Sequence, residues 1–198
     1  MDRKDFFKRA CGLGICSCVG VGLLSSNSFA SVKQDTIVTK NTPVVPVDAR
    51  QIQNVLYHID STMDESIKKN VFEQLGYEHT TNDGFKNWIN GYKSNLKSFF
   101  DKVNSNNDTY WEKIEYNPET SVIKITGKPV DRCACPYAQA DNPPKSLCNY
   151  CCINFQKSMF EMLLGKSVKV QTDEAFLLGG KRCSTTIFVD GKLPLEKI

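Results

Sequence analysis

The sequence predicts an α+β fold, with helices packed on an antiparallel sheet built from β-hairpins and a cysteine-rich loop leading into a helix. Three observations predict it. Apolar residues recur at helical spacing through residues 48–103, and alternation flanks two turn signals further on. Between those turns the chain reads CACPY…CNYCC, which places five cysteines within twenty residues ahead of another helical stretch.

Residues 1–30, MDRKDFFKRACGLGICSCVGVGLLSSNSFA, have a charged start, a weakly apolar middle and an ending that suits cleavage after Ala30. They read as an export signal. The apolar run from Ala10 to Leu24 falls short of the roughly 20 residues a spanning helix needs. Arg3-Lys4-Asp5-Phe6-Phe7-Lys8 resembles the twin-arginine translocation motif, with Lys4 where the second arginine is usual, so ordinary secretory export stays open. Either route implies the export machinery as a partner and a periplasmic or extracellular location.

Cleavage removes Cys11, Cys16 and Cys18 of the nine cysteines and leaves six in 168 residues. Arg3, Lys4, Lys8, Arg9, Asp2 and Asp5 leave too, so 21 basic and 20 acidic residues remain, a net charge of +1. That balance argues against a nucleic-acid surface. No second long apolar segment follows Ala30, which argues against a stable membrane span in the mature chain. Residues 31–47 carry two prolines and no helical period and read as an extended linker, and residues 48–198 as one α+β domain.

Ile52, Val55, Leu56 and Ile59 mark a first helix, and Ile67, Val71, Phe72 and Leu75 a second that Gly76 should end. Phe85, Trp88, Ile89, Tyr92, Leu96, Phe99 and Phe100 predict a third over residues 84–103, its aromatic stripe serving as core. Trp111 to Ile125 should form a hairpin around Asn117-Pro118-Glu119-Thr120. A fourth helix over residues 148–164 turns Cys152, Phe155, Met159, Phe160 and Leu163 inward and stops at Gly165. A second hairpin joins residues 167–174 and 181–189 through Gly179-Gly180.

Pro143-Pro144 forces an extended approach to the fourth helix, and Ser146 suits its N-cap. Cys148, Cys151 and Cys152 then share one face, where the helix dipole should lower thiol pKa. Cys133 and Cys135, one residue apart and fixed by Pro136, are better placed to chelate than to bridge each other, and Cys183 on the last strand is the sixth. Three readings follow. Six cysteines in an exported chain can make three disulfides, giving a stapled binding module. Four thiolates drawn from Cys133, Cys135, Cys148, Cys151, Cys152 and Cys183 suit Zn or an iron–sulfur cluster as cofactor. A single cysteine can act as nucleophile. Cys135-Pro136 resembles the Cys-Pro of ferredoxin clusters, but the remaining spacing does not match theirs.

From Cys148 through CCINFQKSMFEMLLGKSVKVQTDEAFLLGGKRCSTTIF, the chain resembles the C-terminal half of the L-2-amino-thiazoline-4-carboxylic acid hydrolase-like proteins and the related 4-vinyl-reductase-type domains. The resemblance covers roughly residues 130–190. It rests on a cysteine-headed helix, its terminal glycine, Val168 and Val170 on a strand, and a Gly-Gly-x-x-Cys turn into the last strand. It implies an α+β fold for small-molecule binding, sometimes with zinc, and puts Cys183 at the last cysteine of a zinc-binding relative. Ala175 stands where such a relative has a cysteine eight residues earlier, so a metal here must draw on the CACP and CNYCC thiols.

A hydrolase acting on C–N bonds of a small cyclic amide-like compound would need a nucleophile or activated water and an acid–base partner. The histidines are His58, in an amphipathic helix, and His79, in the polar stretch YEHTTND that reads as a surface loop. Asp173 and Glu174 are acidic candidates that also suit a solvated strand end. Gly-x-Ser-x-Gly, a phosphate-binding glycine loop and HExxH are absent from the sequence. The expectation is therefore an exported protein with a cysteine-rich metal site beside a small-molecule pocket.

Overall fold

In a computed structural model, the described residues are 47–105, 110–133, 135–139 and 141–193. The expected export signal and most of the expected linker lie outside them. Helix α1, Val47–Thr62, begins on the last residue assigned to that linker. Helix α2, Glu65–Thr81, starts where the Asp64 carboxylate accepts the Ile67 amide. Gly76 does not end it. The glycine lies buried inside α2, and a Cβ there would collide with the Cys151 carbonyl oxygen, so it permits close approach of two helices instead of stopping one.

The single helix expected over residues 84–103 is two, α3 at Asp83–Asn90 and α4 at Leu96–Asn104. The apolar period survives the break because the two pieces turn Phe85, Ile89, Leu96, Phe99 and Phe100 inward, although Trp88 is exposed and Tyr92 half-buried. What interrupts it is capping: Gly91 closes α3, and the Asn95 side chain accepts the Ser98 amide to open α4.

Strands β1, Trp111–Asn117, and β2, Val122–Gly127, form the first hairpin, with Asn117 Oδ1 accepting the amides of Glu119 and Thr120 in its turn. A short 3₁₀ turn at Pro136–Ala138 follows. A π-helical turn, Leu147–Cys151, then runs directly into helix α5, Cys152–Leu164, which Gly165 closes in the left-handed conformation. Strand β3, Val168–Glu174, a 3₁₀ turn at Phe176–Leu178 and strand β4, Ser184–Val189, complete the second hairpin. The sheet is antiparallel in the order β1-β2-β4-β3, as β2 pairs with β4 to join the hairpins. The α+β class and the hairpin construction are as expected.

The main core lies between one face of this sheet and helices α3, α4 and α5. It is filled by Phe99, Ile114, Ile123, Met159, Phe160 and Ile187 among others. A second, smaller cluster gathers Leu56 of α1, Phe72 of α2 and Leu147 around Cys133, Tyr137, Ala138 and Cys151. Among the described residues no helix is long and apolar enough to cross a membrane.

Candidate functional site

The second cluster is where the cysteines meet, and the chain secures each arm of it separately. Gln53, buried on α1, donates from Nε2 to the Pro136 carbonyl at 2.8 Å and holds the turn after Cys135 against α1. Gln139 folds back so that its Nε2 donates to the carbonyls of Cys133 (2.6 Å) and Cys135 (3.1 Å). The π-helical turn is fixed by Asp60 of α1, whose carboxylate accepts the Lys145 amide at 3.1 Å and the Ser146 hydroxyl. Ser146 therefore donates to Asp60 and makes no side-chain cap, which corrects its expected role. Along α2 the approach allowed by Gly76 is tied by Asn154 Nδ2 donating to the Glu73 carbonyl at 2.6 Å and by the Tyr150 hydroxyl donating to Glu65.

This scaffold brings the six cysteines into one electrostatic neighbourhood. Negative charge on Cys148 raises the pKa of Cys133, Cys135, Cys151, Cys152 and Cys183, and charge on Cys135 raises that of Cys151 and Cys152. Burial is the larger influence on most of them. It pushes the Cys133 thiol up to about 11 and that of Cys135 to about 12, and it raises Cys151 and Cys183 as well. The expectation that a helix N-terminus lowers all three thiols of CNYCC is thus corrected. Desolvation in an apolar cluster outweighs the dipole, and Cys148 alone of the three is lowered, chiefly because the Cys152 thiol donates to it. The same bond raises Cys152.

Four of the sulfurs also receive backbone amides. Cys135 N–H points to Cys133, Tyr137 N–H to Cys135, Leu177 N–H to Cys148, and Phe176 N–H to Cys183, while Ala138 N–H bonds the Cys135 carbonyl oxygen at 2.9 Å. Such donors favour the thiolate over the thiol. None of the six cysteines is in a disulfide. Among the described residues no three Cys, His, Asp or Glu side chains already converge into a metal-holding group.

The other candidates fall differently. His58 stands exposed on α1. His79 is in the last turn of α2, not in a polar loop. Its ring meets those of Tyr137 at 5.3 Å and Phe155 at 5.8 Å edge to face, and burial lowers its pKa, so it is a half-buried neutral imidazole bordering the cysteine cluster. Asp173 accepts the Thr186 hydroxyl at 2.7 Å, and Glu174 accepts the amides of Lys181 (2.6 Å) and Arg182 (3.3 Å), so both act in the second hairpin. A shallow open groove of about 700 Å³ runs beside β3 and is lined by none of the six cysteines. Gln53, Asp60 and Gln139 were not singled out from the sequence. Gln53 carried a signal, because it interrupts the apolar face of α1 between Ile52 and Leu56.

No family model matches the chain. No curated protein matches it either. Among solved structures it is similar to a trafficking protein particle complex subunit 3 from Naegleria fowleri, covalently bound to palmitic acid, at 11% identity and a TM-score of 0.45, covering 74% of this chain and 95% of that one. It is similar to the phenol-responsive sensory domain of the transcription activator PoxR with phenol, at 11% identity and 0.44, covering 73% and 75%. An H-NOX protein from S. oneidensis in the Fe(II) ligation state is similar at 11% identity and 0.45, covering 96% and 94%. Overlaps this low assign neither a family nor an activity.

Proposed function

We propose that this is an exported protein whose cysteine cluster binds a thiophilic metal centre, Zn or an iron–sulfur cluster. The observation that carries the reading is the gathering of all six cysteines of the mature chain from three separate segments, with backbone amides aimed at Cys133, Cys135, Cys148 and Cys183. Soft thiolate donors suit these metals, and hydrogen bonds to sulfur tune them. Those four are the proposed ligands, and Cys151 and Cys152 are thiols beside the centre. Since among the described residues no three such side chains converge beforehand, loading would draw the thiols together and would couple metal binding to the packing of the loop.

Metal and acid-labile sulfide analysis of protein purified without oxygen tests this. One centre per chain is expected, retained on Cys151→Ser and lost on Cys135→Ser. Metal-free protein with six alkylatable thiols would overturn it, and a mass deficit from three disulfides would establish the stapled binding module in its place.

A second reading has one specific observation behind it, the Cys152 thiol donating to a lowered Cys148. A nucleophilic Cys148, including one that opens a small cyclic amide-like compound, would be alkylated first among the six in metal-free protein, at a rate that the Cys152→Ser change lowers or leaves alone. A small-molecule ligand has its support in the groove beside β3, which is open and separate from the thiols.

A further inference from the structure

The two edges of the sheet are treated differently. At β1 the outer edge is closed by a side chain: Asn104, at the end of α4, donates from Nδ2 to the Ile114 carbonyl (3.0 Å) and accepts the Ile114 amide on Oδ1 (2.8 Å). One carboxamide thus occupies both backbone groups of Ile114 at the middle of that edge. At β3 the Glu161 carboxylate accepts the outward Val168 amide at 3.3 Å, but no side chain among the described residues bonds the backbone groups of Val170 or Thr172. An open edge of this kind is a template for pairing.

The register fixes which groups β3 offers. Asp190 N–H bonds to the Ser167 carbonyl, whereas the Val189 amide turns away to Ser121 on the β2 side. With Val168 opposite Val189 and Lys169 opposite Phe188, it follows that Lys169 and Gln171 spend their backbone groups on β4, while Val170 and Thr172 direct theirs outward. Beside this edge runs the groove lined by every residue from Lys169 to Ala175, with Asn149 and Ile153 across from it and exposed Leu178 at one end.

Charge selects the occupant. On the solvent face of β3, Lys169, Gln171 and Asp173 are exposed in alternation, and Lys169 has no ion-pair partner among the described residues. A second copy of β3 laid antiparallel with Gln171 opposite itself puts Lys169 of each copy across from Asp173 of the other. On the opposite face it pairs Val170 with Thr172. A two-residue shift in either direction loses both charge pairs. The β-bulge between Thr172 and Glu174 twists the far end of the edge, so the paired stretch is short and centred on Gln171.

We propose that two copies of this chain join their sheets along β3, antiparallel about a two-fold axis at Gln171, into one continuous eight-stranded sheet. Val170 and Thr172 of each copy then exchange N–H···O=C bonds across the axis. The inference does not depend on the metal reading.

Sedimentation velocity of the purified protein, with its thiols kept reduced, over a range of concentrations tests it. The expected result is a monomer–dimer equilibrium weakened by salt. Lys169→Asp places like charges across the axis twice and should raise the dimer dissociation constant roughly tenfold, while Lys169→Asp with Asp173→Lys should restore it to within about threefold. Thr172→Pro deletes an outward N–H that β4 does not use, and it should abolish the dimer. If that variant does not fold, the charge exchange decides. A monomer at every concentration, or a dimer indifferent to Lys169→Asp, would overturn the proposal.

Discussion

Gly76 shows how one residue sets the site. In sequence it follows an amphipathic run and has the appearance of a stop signal, yet it sits mid-helix because α2 must pass the Cys151 carbonyl at a distance no side chain allows. Gly76→Ala should therefore raise helix propensity and still destabilise the protein by about 1–3 kcal/mol, measured by chemical denaturation, because overpacking against backbone outweighs the gain. The thiols make a second residue-scale prediction. Cys133 and Cys135 stay protonated up to about 11 and about 12, whereas in the unfolded chain they ionise near the ordinary value of 9. Between those limits the unfolded state binds fewer protons than the native one, so the stability of metal-free protein should be full below pH 9 and fall as pH rises toward 12. Unfolding midpoints that stay flat across that window would show these thiols to be solvated.

Among the elements, the π-helical turn and the CAC loop depend on polar anchors borrowed from α1. Removing the Asp60 carboxylate with Asp60→Ala strands the Lys145 amide and the Ser146 hydroxyl, and should cost about 1–2 kcal/mol while loosening protease access between residues 136 and 147. Asn104→Ala should cost a similar amount, about 1–2 kcal/mol, by exposing both backbone groups of Ile114. It should also promote association through β1 that light scattering detects, because it opens an edge that the native chain keeps shut.

For the whole molecule, the metal reading and the stapled reading give opposite responses in the loop between Cys135 and Cys148. A chelator should loosen a metal-held loop and leave a cross-linked one intact, and a mild reductant should do the reverse, with the disulfide alternative worth about 2–4 kcal/mol per bridge. Limited proteolysis with each reagent reads the difference. Export is testable on the full precursor: changing Arg3 and Lys4 together to Gln should leave it uncleaved in the cytoplasm if the twin-arginine route carries it, and normal processing would point to ordinary secretion.

Several features follow from local chemistry alone. Alternation and turn residues such as Asn117 set both hairpins, apolar spacing set the helical faces of α4 and α5 and placed Leu56 but not the exposed Val55 of α1, Gly165 set a helix end, and the crowding of CACPY and CNYCC marked the site. Other outcomes depend on a partner distant in sequence. Gly76 reads as a stop until Cys151 is known to lie against it, and Ser146 as a cap until Asp60 takes its hydroxyl. His79 reads as a loop residue until Tyr137 and Phe155 cover it. The thiols of CNYCC read as activated by a helix terminus until burial among Leu56, Phe72 and Leu147 raises Cys151 and the bond to Cys148 raises Cys152. The reason is common to all four: propensity and spacing act within a few residues, whereas burial and close approach are set by which segments the whole fold brings together.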